Sequence, residues 1–286
     1  MYKRQTLAWY RQNTDFPVPR PIGWFNTSEL PPEAQEAQEA QQAPEPPKAQ
    51  KPSEESVENP REGRRNTLSG NDYDENEHLA VAGLLLEYVP GNHLAAANLS
   101  GPGSARLQVK LAEHLTALHG RTAQAYGSAL EEPRYERWTN VFAPMLAYEL
   151  NAVADMLPSR ARWVATEVLD HLDGWLPEQN QPRLIHGDLW ATNIIVDDRH
   201  PDRPDISAFI DCGATYADVE YELAYLSLFQ TIDKNFMNAY GHPPARGFGR
   251  RCYVYWLNAM LLHIRLHGDQ YVGRLVAITE TLRKLR

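Results

Sequence analysis

The chain has 286 residues, of which 43% are hydrophobic and 23% charged, a balance typical of a soluble globular protein. The formal charge is −9, and the segment 30–78 holds 12 Asp and Glu against 5 Lys and Arg. This balance argues against a nucleic-acid binder, which needs a clustered basic surface. No apolar run approaches the ~20 residues of a membrane span, no signal peptide is visible, and two cysteines are too few for a disulfide framework or a zinc site. We therefore expect a cytoplasmic protein with no membrane partner.

The first elements are a helix and a pair of strands interrupted by a long insertion. Leu7, Trp9 and Tyr10 indicate a helix, and two prolines then favour an extended segment that leads into a strand over 22–25. Residues 31–67 contain no Phe, Trp, Tyr, Ile or Leu, so they cannot bury enough apolar surface to offset their ordering entropy. We predict a disordered insertion over 30–78. The apolar run 82–89 predicts a second strand, which places the insertion in a hairpin of one sheet.

Helical patterns dominate the rest of the chain. Ser104 is the predicted N-cap of a helix whose apolar residues recur at helical spacing as far as Leu118. Further helices are predicted over 135–156, 160–175 and 220–285, with short strands within 183–197 and 207–211. The pattern predicts a bilobal α+β fold, with a helix and a strand at 1–29, the insertion at 30–78, a strand and hinge at 79–91, and a large helical body at 92–286.

Two apolar strands frame a loop that carries candidate catalytic residues. Residues 186–193 read HGDLWATN, and the next apolar step ends at Asp211, eighteen positions after Asn193. This spacing matches a phosphotransferase catalytic loop. Asp188 would accept the proton of an attacking hydroxyl, Asn193 and Asp211 would hold Mg²⁺ through oxygen atoms, and His186 would brace the loop by hydrogen bonds. The alternative is a turn in which Asp188 and Asn193 only cap backbone groups.

The form HGDLWxxN resembles the fructosamine/ketosamine kinase family among the aminoglycoside-phosphotransferase-like kinases. The segments LLLEY at 84–88 and YELAY at 221–225 are also similar. The resemblance implies a protein-kinase-like fold with a large, mainly helical C-terminal lobe, and ATP-dependent phosphorylation of a sugar hydroxyl on a small or protein-bound ketosamine. It implies ATP and Mg²⁺ as cofactors, with backbone groups of Glu87 and Val89 facing adenine across the hinge.

Other residues near the loop admit two interpretations. Trp190 would either shape the sugar pocket or pack the loop. Asp218, Glu220 and Glu222 would either form an acidic wall for a cationic amine or stabilise the N-terminus of a helix, where carboxylates are favoured by the dipole.

The chain also departs from the family pattern at its start. No glycine precedes Gly23, Lys3 is the only early lysine, and the first glutamate is Glu29. Against the family pattern we therefore expect residues 1–29 to be the remnant of a truncated N-terminal lobe without its Lys–Glu pair, unless the given start is internal to a longer reading frame. Cys212 replaces the proline that the family places after the metal-binding Asp. We expect weak binding of Mg·ATP and slow turnover by the chain as written. A kinase for aminoglycosides or other small molecules, and a non-catalytic member of the family, remain alternatives.

Overall fold

The computed structural model describes residues 2–26, 82–177 and 180–286, so the predicted insertion lies outside the described residues. Two compact units divide the chain, one of Met1–Pro21 with Leu86–Arg286 and one of Ile22–Leu85. The helices are α1 (Tyr2–Asn13), α2 (Gly101–His119), α3 (Trp138–Ala152), α4 (Ser159–Asp170), α5 (Leu172–Trp175), α6 (Val219–Leu228), α7 (Lys234–Ala239), α8 (Phe248–His267) and α9 (Val272–Lys284). The strands are β1 (Pro21–Asn26), β2 (Ala82–Leu86), β3 (Asn92–His93), β4 (Gly127–Ser128), β5 (Arg183–Ile185), β6 (Ile194–Asp197), β7 (Asp205–Phe209) and β8 (Thr215–Ala217).

In the smaller unit, β1 and β2 pair as a two-stranded sheet, which agrees with the prediction that the strands on either side of the insertion share one sheet. Ile22 and Leu85 leave 54% and 53% of their surfaces exposed. In the described part of the chain, no helix combines the length and the hydropathy that a membrane span requires.

The larger unit is built around helices whose apolar faces share one core. Trp138 and Phe142 on α3 and Tyr255 on α8 are at most 4% exposed. The rings of Phe142 and Tyr255 meet edge to face, with centroids 5.3 Å apart, a geometry that aromatic pairs favour. The prediction of helices over most of the region after residue 100 is confirmed.

Two small sheets of the larger unit carry the loops of interest. One sheet has the order β3-β6-β7 and the other the order β4-β8-β5. The HGDLWATN loop joins β5 to β6, and the loop with Asp211 joins β7 to β8, so each loop passes from one sheet to the other. Strands β3, β4 and β8 escaped prediction, because two or three residues are too few to show an alternating pattern.

The turn after α1 contacts β7 through a backbone hydrogen bond and a pair of stacked rings. The Phe209 amide donates to the carbonyl oxygen of Pro17 at 2.8 Å, and the rings of Phe16 and Phe209 stack with centroids 4.2 Å apart. The Tyr10 hydroxyl donates to the carbonyl oxygen of Ile185 at 2.7 Å. These contacts anchor the N-terminal helix against the strands that end at the two loops.

The start of α2 corrects one prediction, because its N-cap is Ser100 and not Ser104. The Ser100 hydroxyl accepts the Gly103 amide at 3.0 Å, and Pro102 lies in the first turn, where a helix needs no amide donor. The run Gly101–Gly103 resembles a loop in sequence, which hid the true start of the helix.

Substitution of the cap tests this start. We expect Ser100→Ala to lower the free energy of unfolding by about 1 kcal/mol, because an orphan amide of the first turn loses its acceptor. Ser104→Ala, inside the helix, should be neutral or slightly stabilising because alanine has the higher helix propensity. Chemical denaturation of both variants measures the difference, and equal effects would contradict the assignment.

Candidate active site

His186 fastens the loop of residues 186–193, here called the catalytic loop. Its ring is fully buried, with Nε2 at 2.9 Å from the carbonyl oxygen of Ile210, so that Nε2 carries the proton. Its Nδ1 accepts the Asp188 amide at 3.3 Å. Burial lowers the pKa of His186 although nearby carboxylates oppose the shift, which is consistent with a neutral ring. The ring therefore connects the catalytic loop to the residue that precedes Asp211.

The loop of residues 210–214, here called the Asp211 loop, is joined to the catalytic loop by backbone hydrogen bonds. The Ile210 amide donates to Asn193 at 3.0 Å, and the Gly213 amide donates to His186 at 2.6 Å. Between these bonds Asp211 has a φ of 59°, in the left-handed region that aspartate and asparagine enter more readily than most residues. The structure thus brings together three predicted site residues from two separate loops, Asp188, Asn193 and Asp211.

Asp188 is held by two side chains and still keeps an exposed surface. Its Oδ1 accepts the Tyr225 hydroxyl at 3.2 Å, and its Oδ2 lies 3.3 Å from Nδ2 of Asn193. Partial burial raises the pKa of Asp188, while the hydrogen bond from Tyr225 opposes the rise. Sequence reasoning gave Tyr225 no role, although it lies in the segment YELAY at 221–225 and three residues after Glu222 on the predicted helix.

The oxygen-bearing side chains beside Asp188 are of the kind that binds a magnesium ion. Nδ2 of Asn193 donates to the carbonyl oxygen of Asp188 at 2.7 Å, so the amide oxygen, and not the nitrogen, is the Asn193 atom that would serve as a metal ligand. Mg²⁺ prefers one or two such oxygen ligands together with phosphate oxygens and water. Among the described residues, no group of three or more His, Cys, Asp or Glu side chains is arranged to hold a metal. Phosphate oxygens would therefore complete the coordination.

Cys212 follows Asp211 but does not have the character of a reactive thiol. It is 5% exposed, and burial raises the pKa of its thiol well above the usual value. A buried thiol that keeps its proton is a poor nucleophile and a poor metal ligand.

The buried carboxylate of Glu222 holds the catalytic loop through hydrogen bonds. It accepts the His186 amide at 3.2 Å, the Gly187 amide at 2.7 Å and Nε2 of His119 at 2.7 Å. Burial alone would raise the pKa of Glu222, but hydrogen bonds from His119 and the loop outweigh it and hold the pKa below its usual value. The hydroxyl of Tyr240 lies 2.5 Å from Nδ1 of His119 and continues the buried chain of contacts.

The prediction of an acidic wall formed by Asp218, Glu220 and Glu222 is wrong, because all three are at most 5% exposed and have internal partners. Asp218 caps α6 by accepting the Glu220 amide at 2.9 Å, which agrees with the alternative interpretation. Glu220 accepts two hydrogen bonds from Arg251, at 2.5 and 2.7 Å. The partners of these carboxylates lie inside the fold, and removal of one partner would leave an uncompensated buried charge.

Trp190 lies in a row of aromatic rings that begins at the Asp188 contact. The rings of Tyr225 and Phe229 have centroids 4.9 Å apart, and those of Phe229 and Trp190 5.9 Å apart. Trp190 is only half-buried. The arrangement is compatible with both interpretations of Trp190, as packing for the loop and as a wall of a sugar pocket.

Glu87 and Val89, the residues of the predicted hinge, follow β2. The Glu87 amide donates to the carbonyl oxygen of Arg20 at 2.9 Å, and the Glu87 carboxylate accepts the Arg20 amide at 3.2 Å. Glu87 is exposed and Val89 is half-buried. Their contact with adenine stays a prediction.

Comparison with known proteins agrees with this geometry. A model of the fructosamine kinase family matches residues 84–284, a stretch that includes both loops and the hinge. The chain belongs to the fructosamine kinase family. The family consists of small-molecule phosphotransferases with a protein-kinase-like fold, so the predicted α+β fold is confirmed.

Individual relatives are similar over parts of their lengths. A proposed ketoamine kinase of Enterococcus faecium is 26% identical over 196 residues, which are 60% of this chain and 66% of the relative. The ketosamine-3-kinase of mouse is 34% identical over 105 residues, which are 36% of this chain and 32% of that enzyme. A crystal structure from Thermobifida fusca, of a proposed fructosamine-3-kinase, matches with a TM-score of 0.58 at 25% identity, over 71% of this chain and 70% of that chain.

The support that Glu222 gives the catalytic loop can be tested by hydrogen exchange. We expect Glu222→Gln to accelerate amide exchange at His186 and Gly187 by about 10- to 100-fold, because charge-assisted hydrogen bonds worth about 1.5–3 kcal/mol are weakened. Glu149→Gln, which alters a pair with Arg265 away from the loop, is the matched control. Unchanged exchange at the two loop amides would contradict the conclusion that Glu222 holds the catalytic loop.

Asp218 should give the stability a pH dependence, because burial raises its pKa from 3.8 to about 6. Between these values the folded protein keeps the proton that the unfolded chain releases, so the free energy of unfolding falls as the pH rises. Asp218→Asn removes this loss of stability. The stability of the variant relative to the wild type should therefore grow by up to about 3 kcal/mol from pH 4 to pH 7.

Denaturation at a series of pH values measures this difference. The exposed Asp202 provides a control, and Asp202→Asn should change the pH profile little. If the free energies of unfolding of Asp218→Asn and the wild type differ by a constant amount from pH 4 to pH 7, Asp218 ionises as readily in the folded protein as in the unfolded chain.

Proposed function

We propose that the protein is an ATP-dependent kinase that phosphorylates a sugar hydroxyl of a ketosamine, free or attached to a protein, in the cytoplasm. The observation that carries the proposal is the joining of two loops, which sets the Asp188 carboxylate beside Asn193 and Asp211. Family membership supports the substrate class, and the name of the mouse enzyme agrees with it.

In this proposal Asp188 is the general base. Its carboxylate accepts the proton of the sugar hydroxyl as that oxygen attacks the terminal phosphate, and the hydrogen bonds from Tyr225 and Asn193 orient it. His186 and Glu222 keep the loop in place. Positioning of this kind, together with electrostatic stabilisation, provides most of the catalysis in phosphoryl transfer.

Asn193 and Asp211 would hold Mg²⁺ against the nucleotide phosphates. When bound, the ion neutralises negative charge that develops on the phosphate oxygens. Glu87 and Val89 would offer backbone groups to adenine, and Trp190 would form an apolar wall beside the sugar. A sugar ring presents C–H groups on its faces, which pack well against an aromatic ring.

Substitution of the base is the most direct test. We expect Asp188→Asn to lower ATP-dependent phosphorylation of fructosyl-lysine by about 10²–10⁴-fold, since the amide cannot accept the proton. Asp198→Asn, on a carboxylate that binds Asn92 and the Asn98 amide, is the control and should retain activity. Wild-type turnover by Asp188→Asn would show that the base is assigned wrongly.

A panel of acceptors with a readout of ATP consumption tests the substrate class. Phosphorylation of aminoglycosides but not of ketosamines would contradict the ketosamine assignment while leaving the phosphotransferase chemistry intact.

A further inference from the structure

We propose that Arg274 binds a carboxylate on the amine-bearing part of the ketosamine, so that the preferred substrate is a glycated amino acid with a free carboxyl group. This inference rests on the proposed function and adds a second point of recognition, remote from the phosphorylated hydroxyl. Its basis is a guanidinium group that lines a cavity beside the aromatic row leading from Asp188.

The cavity lies where the end of α6 meets α8 and α9, and its volume is about 360 Å³. Leu228 and Ile278 provide apolar lining, and Tyr253 and Trp256 add two rings whose centroids lie 4.9 Å apart. Nε1 of Trp256 donates to the carbonyl oxygen of Ala224 at 2.7 Å, which fixes the indole. A wall of this composition offers apolar and aromatic surface against which an aliphatic stem can pack.

Arg274 is the charged residue among those that line this cavity. One of its Nη atoms donates to the carbonyl oxygen of Leu228 at 2.6 Å, and its Cζ lies 5.9 Å from the centroid of Phe229. In the described ranges it has no carboxylate within ion-pair distance, whereas Arg251 and Arg265 on α8 each bind a glutamate through two nitrogens. The guanidinium therefore has its position fixed while further N–H donors remain for an anion.

A continuous row of contacts connects this guanidinium to the proposed base. Arg274 lies over Phe229, the ring of Phe229 contacts that of Tyr225, and the Tyr225 hydroxyl donates to Asp188. The row has a carboxylate at one end, aromatic rings along it and a guanidinium at the other end.

A glycated amino acid carries the complementary groups in the matching order. Its sugar hydroxyl would approach Asp188, its secondary ammonium would lie near aromatic faces that attract cations, and its carboxylate would reach Arg274. An aliphatic stem between the ammonium and the carboxylate, as in a lysine glycated at its side chain, would follow the ring of Phe229 toward Arg274. A ketosamine on a neutral carrier would leave the guanidinium unpaired.

The test compares two substrates that differ only in the carboxylate, Nε-fructosyl-Nα-acetyl-lysine and its methylamide. We expect the wild type to favour the acid by about tenfold in kcat/KM, the effect of one charge-assisted contact, and mainly through KM. Arg274→Gln should bring the ratio close to one by weakening only the acid, and Arg274→Lys should keep an intermediate preference.

Arg250→Gln is the matched control, because Arg250 also lies over an aromatic ring, that of Trp175, and donates to a carbonyl oxygen, that of Gly174. This variant should keep the wild-type ratio. An unchanged rate with the methylamide in Arg274→Gln would show that the variant is folded and that its base still functions.

Calorimetric titration of both compounds, without nucleotide, separates this inference from the proposed function. Preferential binding of the acid that disappears in Arg274→Gln supports the carboxylate site even if no phosphorylation is observed. Equal binding or turnover of the two compounds by the wild type would overturn it, as would a preference that survives in Arg274→Gln or binding of neither compound.

Discussion

The ionised carboxylate of Glu222 is the group on which the geometry of both loops depends. It is shielded from water and accepts two consecutive amides of the catalytic loop as well as His119. A buried carboxylate without such donors would take up a proton or leave the interior, because its desolvation is costly. The loop amides therefore keep the Glu222 carboxylate ionised, and the ionised carboxylate in turn holds the loop backbone in place.

Helix α6 carries both Glu222, which holds the catalytic loop, and a residue that contacts the proposed base. Glu222 lies below the loop, and Tyr225, one turn later, donates to the Asp188 carboxylate. At the start of the helix, Asp218 caps the first turn and Glu220 pairs with Arg251. These buried partners fix the position of the helix, so the base is oriented by the same element that holds the loop backbone.

The Asp211 loop depends on the catalytic loop in turn. Its amides donate to the carbonyl oxygens of Asn193 and His186, and the His186 ring binds Ile210. The left-handed backbone at Asp211 is maintained by bonds on both sides of it. Pairing of β6 with β7 brings the two loops within reach of each other, so the proposed magnesium ligands are assembled by strands and not by one contiguous motif.

The strands on either side of the insertion, the helical region and the loop HGDLWATN could be read from local pattern alone, because apolar periodicity and motif spacing are properties of neighbouring residues. The positions of Asp188, Asn193 and Asp211 were predicted in this way. The burial of Asp218, Glu220 and Glu222, the start of α2 at Ser100 and the contact of Tyr225 with Asp188 were not. Glu222 meets a histidine 103 residues away, and Glu220 an arginine 31 residues away. Composition and spacing place charges along the chain, but only packing between distant segments decides which of them leave water, since a buried charge requires partners that the local sequence does not contain.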